Sequence, residues 1–192
     1  MGRTPVKPLK QLRTIATGAF AVATGVVRVA LARNTGPQIE LRPGDVAPDF
    51  ALEASDGRTY TLSEFAGHQA VVLAWFPKAF TGGCTAQCES IGGSSHELRR
   101  FQVAHFGASV DSPETIRRFA ASMEIDFPIL SDPHQTAARA YGVLGPSGFP
   151  ARRTFFIGID RRILAVDNHV RTATHGADIV SALSQLQIPR QA

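Results

Sequence analysis

The stretch Phe76-Pro77-Lys78-Ala79-Phe80-Thr81-Gly82-Gly83-Cys84 puts a thiol where it can act as a nucleophile. The continuous apolar run Ala70 to Phe76 reads as a strand buried on both faces, and Pro77 ends it. A Gly-rich loop follows, and Cys84 lands in the first turn of the next helix. Backbone N–H groups at a helix N-terminus lack intrahelical partners, and the positive end of the helix dipole favours a thiolate. Thr81, three residues before the cysteine, is spaced to offer its hydroxyl to the sulfur. Pro77 has no N–H, so it can wall the site against water without competing for hydrogen bonds. The sum is an electron-rich sulfur in a dry pocket whose donors face an approaching oxygen.

A second cysteine, Cys88, stands four residues on, and these 2 cysteines are the chain's total. Two cannot build a four-thiolate zinc site or staple a fold of this size. The Cys-x2-Cys spacing of dithiol oxidoreductases is absent. His68, His96, His105, His134 and His175 show neither ligand spacing nor the order of a catalytic triad. The chain has 192 residues, with 44% hydrophobic and 19% charged, which fits one domain plus an appended segment and excludes a disordered or multi-span chain. Its net charge of +4 is unevenly placed. Residues 1–47 carry seven Lys or Arg against two acids, whereas 48–192 carry thirteen against fourteen. Nucleic-acid binding by the main domain is therefore disfavoured.

The elements that must position Cys84 follow from periodicity and turn chemistry. Asp49–Glu53 and Thr59–Thr61 alternate around Ser55-Asp56-Gly57-Arg58, predicting a β-hairpin, and Ser63 can cap a short turn of helix through Phe65. A helix is expected from Gly83 to about Arg100, and a second strand from Val103 to Val110. Ser112 as N-cap with Pro113 at the first position starts a helix to Met123. Phe127–Leu130 is a short strand, Asp132 opens a helix through Ala140, and Thr154–Ile159 pairs with Ile163–Val166. A last helix runs from Ala177 to Leu186. This order predicts an α/β domain, residues 42–192, with helices on both faces of a central sheet.

The pattern Pro77-x3-Thr81-x2-Cys84 resembles the active-site motif of the peroxiredoxins. Gly44-Asp45-x-Ala47-Pro48-Asp49-Phe50, Ser109-Val110-Asp111-Ser112, Phe127-Pro128-Ile129-Leu130-Ser131-Asp132 and Ala140-Tyr141-Gly142-Val143 are similar to further landmarks of that family, in its order. The Q-type branch, also called bacterioferritin comigratory protein, fits best. The resemblance covers about residues 42–188. It implies a thioredoxin-like fold with a mixed sheet and an N-terminal hairpin. It also implies reduction of hydrogen peroxide or organic hydroperoxides by the Cys84 thiolate, no cofactor, and a thioredoxin-type dithiol as reductant. Monomer is the state that Q-type members suggest. Family members carry Arg-x-(Thr or Ser)-Phe on a later strand, with the Arg orienting the peroxide. Arg152 of Arg152-Arg153-Thr154-Phe155 matches by spacing, and strand alternation lets only one of the two arginines reach the site.

Q-type enzymes often place a resolving cysteine five residues after the peroxidatic one, but here the gap is four, and Gln87 stands where relatives commonly have Glu. On an intact helix, residues four apart are about 6 Å apart along the axis. Their Cβ atoms lie roughly 5–6 Å apart, whereas a disulfide wants about 4 Å. A Cys84–Cys88 bond therefore requires the first turns to unwind, which Gly82-Gly83 and Gly92-Gly93-Ser94-Ser95 would ease. The alternative for Cys88 is a buried, inert core cysteine. A second functional class, the Sco-type copper chaperones, shares the fold and would use Cys84, Cys88 and His169 as ligands. Pro77 and Thr81 have no purpose in such a site.

Residues 1–41 contain no acid before Glu40 and combine Arg3, Lys7, Lys10 and Arg13 with a mild apolar run from Thr14 to Val27. Three readings stand: a signal peptide with Ala30-x-Ala32 as its cleavage site, a membrane span, and a basic amphipathic helix that lies on an anionic membrane or serves as a transit sequence, against a poorly ordered tail with no address. All place the protein at a membrane or in the cell envelope, with a cytoplasmic location as the alternative.

Overall fold

The computed structural model describes residues 39–191, together with Met1 and Gly2. The chain divides into two compact units, Met1–Ala32 and Arg33–Ala192, and the architecture below is that of the second. The signal, anchor or amphipathic-helix readings fall outside the described residues. Among the described residues, no helix is long and apolar enough to cross a membrane.

Strands β1 (Ala51–Glu53) and β2 (Thr59–Thr61) form an antiparallel hairpin, with Ala51 opposite Thr61. The central sheet has the order β5-β4-β3-β6-β7, built from β3 (Ala70–Trp75), β4 (Val103–Ser109), β5 (Ile129–Ser131), β6 (Arg153–Ile157) and β7 (Ile163–Asp167). It is mixed: β3, β4 and β5 run parallel, while β6 pairs antiparallel with both β3 and β7. The helices are α1 (Gly82–Gly93), α2 (Ser95–Leu98), α3 (Pro113–Ser122), α4 (Thr136–Ala140) and α5 (His175–Gln185).

β3 explains why the sequence there is apolar without alternation: all six of its residues are buried. Ala70, Val72 and Ala74 pack with α1, α2, α3 and α5 on one face, alongside Cys84 and Cys88. Val71, Leu73 and Trp75 pack on the other face with the hairpin side and α4, through Leu62, Ala137, Ala138 and Tyr141. Most helical cover is thus on the cysteine face, and the opposite face is closed mainly by the hairpin and one short helix.

Three expectations shift. The helix from Gly83 to Arg100 is broken at Ser94, whose ψ of 2° ends α1. The run Gly92-Gly93-Ser94-Ser95 has too little helix propensity to carry through. Asp132 opens α4 from a distance. Its carboxylate accepts the Thr136 and Ala138 N–H groups at 2.9 and 2.7 Å, while Gln135 turns through a left-handed φ of 58°. The turn after β2 starts from Thr61, whose N–H bonds the Glu64 carboxylate at 3.4 Å, so Ser63 lies inside it. Ser112 does cap α3, accepting the Thr115 N–H at 3.3 Å.

Two imidazoles shifted by burial make this core sensitive to acid. Burial pushes the His105 imidazole down to about 4, against the pull of Asp126 and with the push of Arg99. Burial likewise pushes His175 down to about 4, with Asp167 and Asp178 opposing and Arg152 assisting. Both groups are neutral in the fold at pH values where the unfolded chain would protonate them. Their stabilisation is therefore complete above about pH 6.5 and is lost as pH falls towards about 4. Thermal melts from pH 7 to pH 4.5 should show a falling Tm, with a shallower fall in His105→Phe. An identical slope in that variant would contradict the assignment.

Candidate active site

Cys84 is the third residue of α1, just past the C-terminal end of the buried strand β3, and it is fully buried. Thr81 is the N-cap residue, with extended backbone angles, but its hydroxyl does not cap the helix. Instead Thr81 Oγ1 lies 2.9 Å from Cys84 Sγ and 2.9 Å from the Lys78 carbonyl oxygen. One hydroxyl proton serves one acceptor at a time. A Cys84 thiol can donate to Oγ1 while the hydroxyl donates to Lys78, and a thiolate can take the hydroxyl proton instead. The pairing that holds Thr81 thus survives loss of the sulfur's proton.

Arg152 reaches the same sulfur from the opposite strand. Its Nη2 donates to Cys84 Sγ at 3.3 Å, and its Nη1 donates to Gln87 Oε1 at 2.5 Å. The strand register selects Arg152 over Arg153. β3 pairs with β6 with Trp75 opposite Arg153, and alternation sends Arg152, Thr154 and Phe156 to the cysteine face. Arg153 points the other way and donates to the Gly142 carbonyl at 3.4 Å. Gly83 makes room for this approach, since a Cβ there would stand 2.8 Å from Arg152 Nη2.

The loop between β3 and α1 is held from β4. The Ala79 N–H donates to Asp111 Oδ2 at 2.8 Å, and the Ser109 hydroxyl donates to the same oxygen at 2.8 Å. Between Ala79 and Thr81, Phe80 has a left-handed φ of 60°, a conformation that costs a residue with a side chain on the order of 1 kcal/mol. Its exposed ring is seated edge-on against Phe119, with centroids 5.2 Å apart. Pro77, partly buried, is the second residue past β3, at the base of this loop.

Cys88 lies one turn further along α1, fully buried in the same core cluster, and both cysteines are free thiols. Burial, aided by Cys84, pushes its thiol up to about 12, which favours the protonated form. A site uniting Cys84, Cys88 and His169 as copper ligands is not formed. Among the described residues, no three His, Cys, Asp or Glu side chains are grouped to hold a metal ion. His169 is exposed after β7, its N–H bonded to Asp167 at 2.8 Å.

Residues 43–166 match the AhpC/TSA family. The chain belongs to that family. It is 33% identical over 152 residues to peroxiredoxin Bcp of Escherichia coli K12, covering 76% of this chain and 97% of that protein. It is 30% identical over 151 residues to a putative peroxiredoxin of Mycobacterium tuberculosis, covering 75% and 96%. The crystal structure of the peroxidoxin BcpB of that organism superposes with a TM-score of 0.70 at 30% identity, over 76% of this chain and 98% of that one. Peroxiredoxin Q of Xylella fastidiosa shares the fold, with a TM-score of 0.72 at 23% identity, over 77% and 98%. The protein is a thiol-dependent peroxidase of the Bcp, or Q-type, branch of the peroxiredoxins, with a thioredoxin-like fold.

The structure brings together Cys84, Thr81 and Arg152, with Pro77 at the edge of the loop and Cys88 beneath. Three contributors stood in motifs noted in the sequence, but their contacts had no signal there. Asp111 is the anchor of the loop, Gln87 is the partner of Arg152, and Gly83 is required by close approach. Arg152→Met should lower the rate of peroxide consumption by about a hundredfold, the size expected for losing one donor aimed at developing charge. Arg153→Met should change it by no more than a few-fold. Gly83→Ala should cost about tenfold in rate with little change in Tm, since the guanidinium can swing aside without disturbing the core. Equal losses in the two arginine variants would contradict the register argument.

Proposed function

We propose that Cys84 is the peroxidatic cysteine and Cys88 the resolving cysteine of a two-cysteine cycle within one chain. The observation that carries this reading is the convergence of the Thr81 hydroxyl and the Arg152 guanidinium on one buried sulfur at a helix N-terminus. The Cys84 thiolate attacks the terminal oxygen of a hydroperoxide. The S–O bond forms as the O–O bond breaks, and the leaving oxygen takes a proton and departs as water or alcohol. Arg152 and Thr81 stabilise the charge that moves from sulfur to oxygen.

Cys88 then attacks the sulfenic sulfur after the first turns of α1 have unwound, which also returns its thiol to water. The S–S bond forms as the S–O bond breaks, and water leaves. A dithiol reductant of the thioredoxin type supplies two electrons and two protons by exchange, regenerating both thiols. The protein acts as a monomer on this reading, and its basic N-terminal segment holds it at a membrane or routes it to the cell envelope. Seven cations against two acids in residues 1–47 support that placement.

Peroxide consumption coupled to thioredoxin and its reductase should be abolished in Cys84→Ser. Intact mass after one equivalent of hydrogen peroxide should fall by two hydrogens in the wild type, whereas Cys88→Ser should gain one oxygen. Full turnover in Cys84→Ser would overturn the assignment of the nucleophile. A wild-type protein that stops at the sulfenic acid would overturn the role of Cys88.

A further inference from the structure

Among the described residues of the domain, the large apolar side chains that stand exposed are Ile39, Val46, Phe80, Phe149 and Ile159. Their places in the fold divide them between the two ends of the central sheet. Val46 bridges Arg162, and Ile159 lies in the turn between β6 and β7, so both are at the end remote from Cys84. Phe80 is in the active-site loop, and Phe149 lies in the segment between Leu144 and Pro150, just before β6 begins beside the end of β3. Lys78 joins the two rings, with its ammonium 5.5 Å from the Phe149 centroid. It forms no ion pair with a described residue.

Ile39 belongs to the same end. A Cβ at Gly142 would stand 1.7 Å from the Ile39 carbonyl oxygen, and the Gly142 carbonyl accepts from Arg153 at the start of β6. Ile39 is also where the described chain of the domain begins. Residues 3–38 precede it, with Arg3, Lys7, Lys10, Arg13, Arg28 and Arg33 and no acid. This basic segment therefore joins the domain at the end that displays Phe80 and Phe149 around the approach to Cys84. The rim also carries Glu114, at the start of α3, so the excess of positive charge comes from the segment and Lys78.

Exposed aromatic rings beside a lysine, next to a tether of one sign of charge, are the composition of a surface that sits in the headgroup layer of an anionic bilayer. The rings leave water there, and the lysine stem lies along them while its ammonium meets phosphate. We propose that this end of the domain is a lipid-docking surface: Phe80, Phe149 and Ile39 enter the headgroup region, Lys78 binds lipid phosphate, and the approach to Cys84 is held against the membrane. This rests on the membrane placement and the assignment of Cys84 above, and deepens both by naming the face that meets lipid. A hydroperoxide carried on a phospholipid chain then reaches the sulfur without crossing bulk water.

The test uses the full-length protein with vesicles of phosphatidylcholine and phosphatidylglycerol. Burying a half-exposed ring is worth about tenfold in an equilibrium. Phe149→Ser should weaken cosedimentation by about that factor, and so should Phe80→Asn, since asparagine tolerates the left-handed backbone. Vesicles of phosphatidylcholine alone should bind the wild type at least about tenfold more weakly. The rate with phospholipid hydroperoxide in the mixed vesicles, relative to that with hydrogen peroxide, should fall about tenfold in Phe149→Ser.

Orientation is read by quenching from brominated acyl chains. The fluorescence of Phe149→Trp should be quenched and that of Ile159→Trp should not, each against the constant signal of the buried Trp75. Equal quenching at the two positions, or cosedimentation with no quenching at either, would overturn the docking surface and leave the basic segment as the only membrane contact. Failure of the underlying readings looks different. A wild type that does not cosediment with the mixed vesicles would overturn the membrane placement together with the surface, and activity that survives Cys84→Ser would overturn the nucleophile.

Discussion

The contact between the Arg152 guanidinium and the buried Cys84 sulfur is the interaction on which the rest of the active site depends. A sulfur with no exposed surface is a poor place for negative charge unless compensation is supplied locally. Arg152 supplies it, but from the edge of another strand, so the geometry is only as good as the β3–β6 pairing. A slip of one residue would turn Arg152 to the hairpin side and bring Arg153 to the sulfur face instead. Both faces of β3 are apolar, so its polarity does not separate the two registers; the fit of the larger Val71, Leu73 and Trp75 on the hairpin side and of Ala70, Val72 and Ala74 on the helix side does.

Around this contact the chain has cleared and fixed its surroundings. Gly83 leaves the space that the guanidinium occupies, and Gln87 holds its other nitrogen. Asp111, at the end of β4, pins the loop through the Ala79 N–H, keeping Thr81 in reach of the sulfur despite the left-handed backbone at Phe80. Gly176, at the start of α5, allows that helix to approach the Ser90 carbonyl, where a Cβ would stand 2.1 Å away. α1 is thus gripped from the strand side and from α5, while its own sequence is weakly helical. The stability of α1 therefore resides in its contacts rather than in its own propensity.

The buried side chains that titrate lie close to this machinery. His175 bonds Thr154 at 2.7 Å, two residues along the chain from Arg152, and its Nδ1 has no partner among the described residues. Keeping that ring neutral preserves the packing of α5 on β6. Cys88 is held as a thiol by the same burial that hides it.

Much of this was legible in the amino-acid sequence. The strand at Ala70 to Phe76, the Pro-kinked loop, the helix start just before Cys84 and the Ser112 cap are local, and local patterns report them directly. The spacing of Thr81 and Cys84 sufficed to place a hydroxyl at a sulfur, because both lie on one loop and helix turn. Arg152 was legible only through family likeness, and choosing it over Arg153 needed a strand register. Gln87 as the guanidinium's partner, Asp111 as the loop's anchor and His175 beside Thr154 had no local signature at all. Each joins residues at least 21 positions apart in the chain. Such contacts are set by how strands pair and helices pack. The sequence by itself determined which sulfur stands at a helix N-terminus within reach of a threonine hydroxyl. The tertiary structure decided which cation faces it and what keeps the helix shut, because those depend on surfaces that meet only after folding.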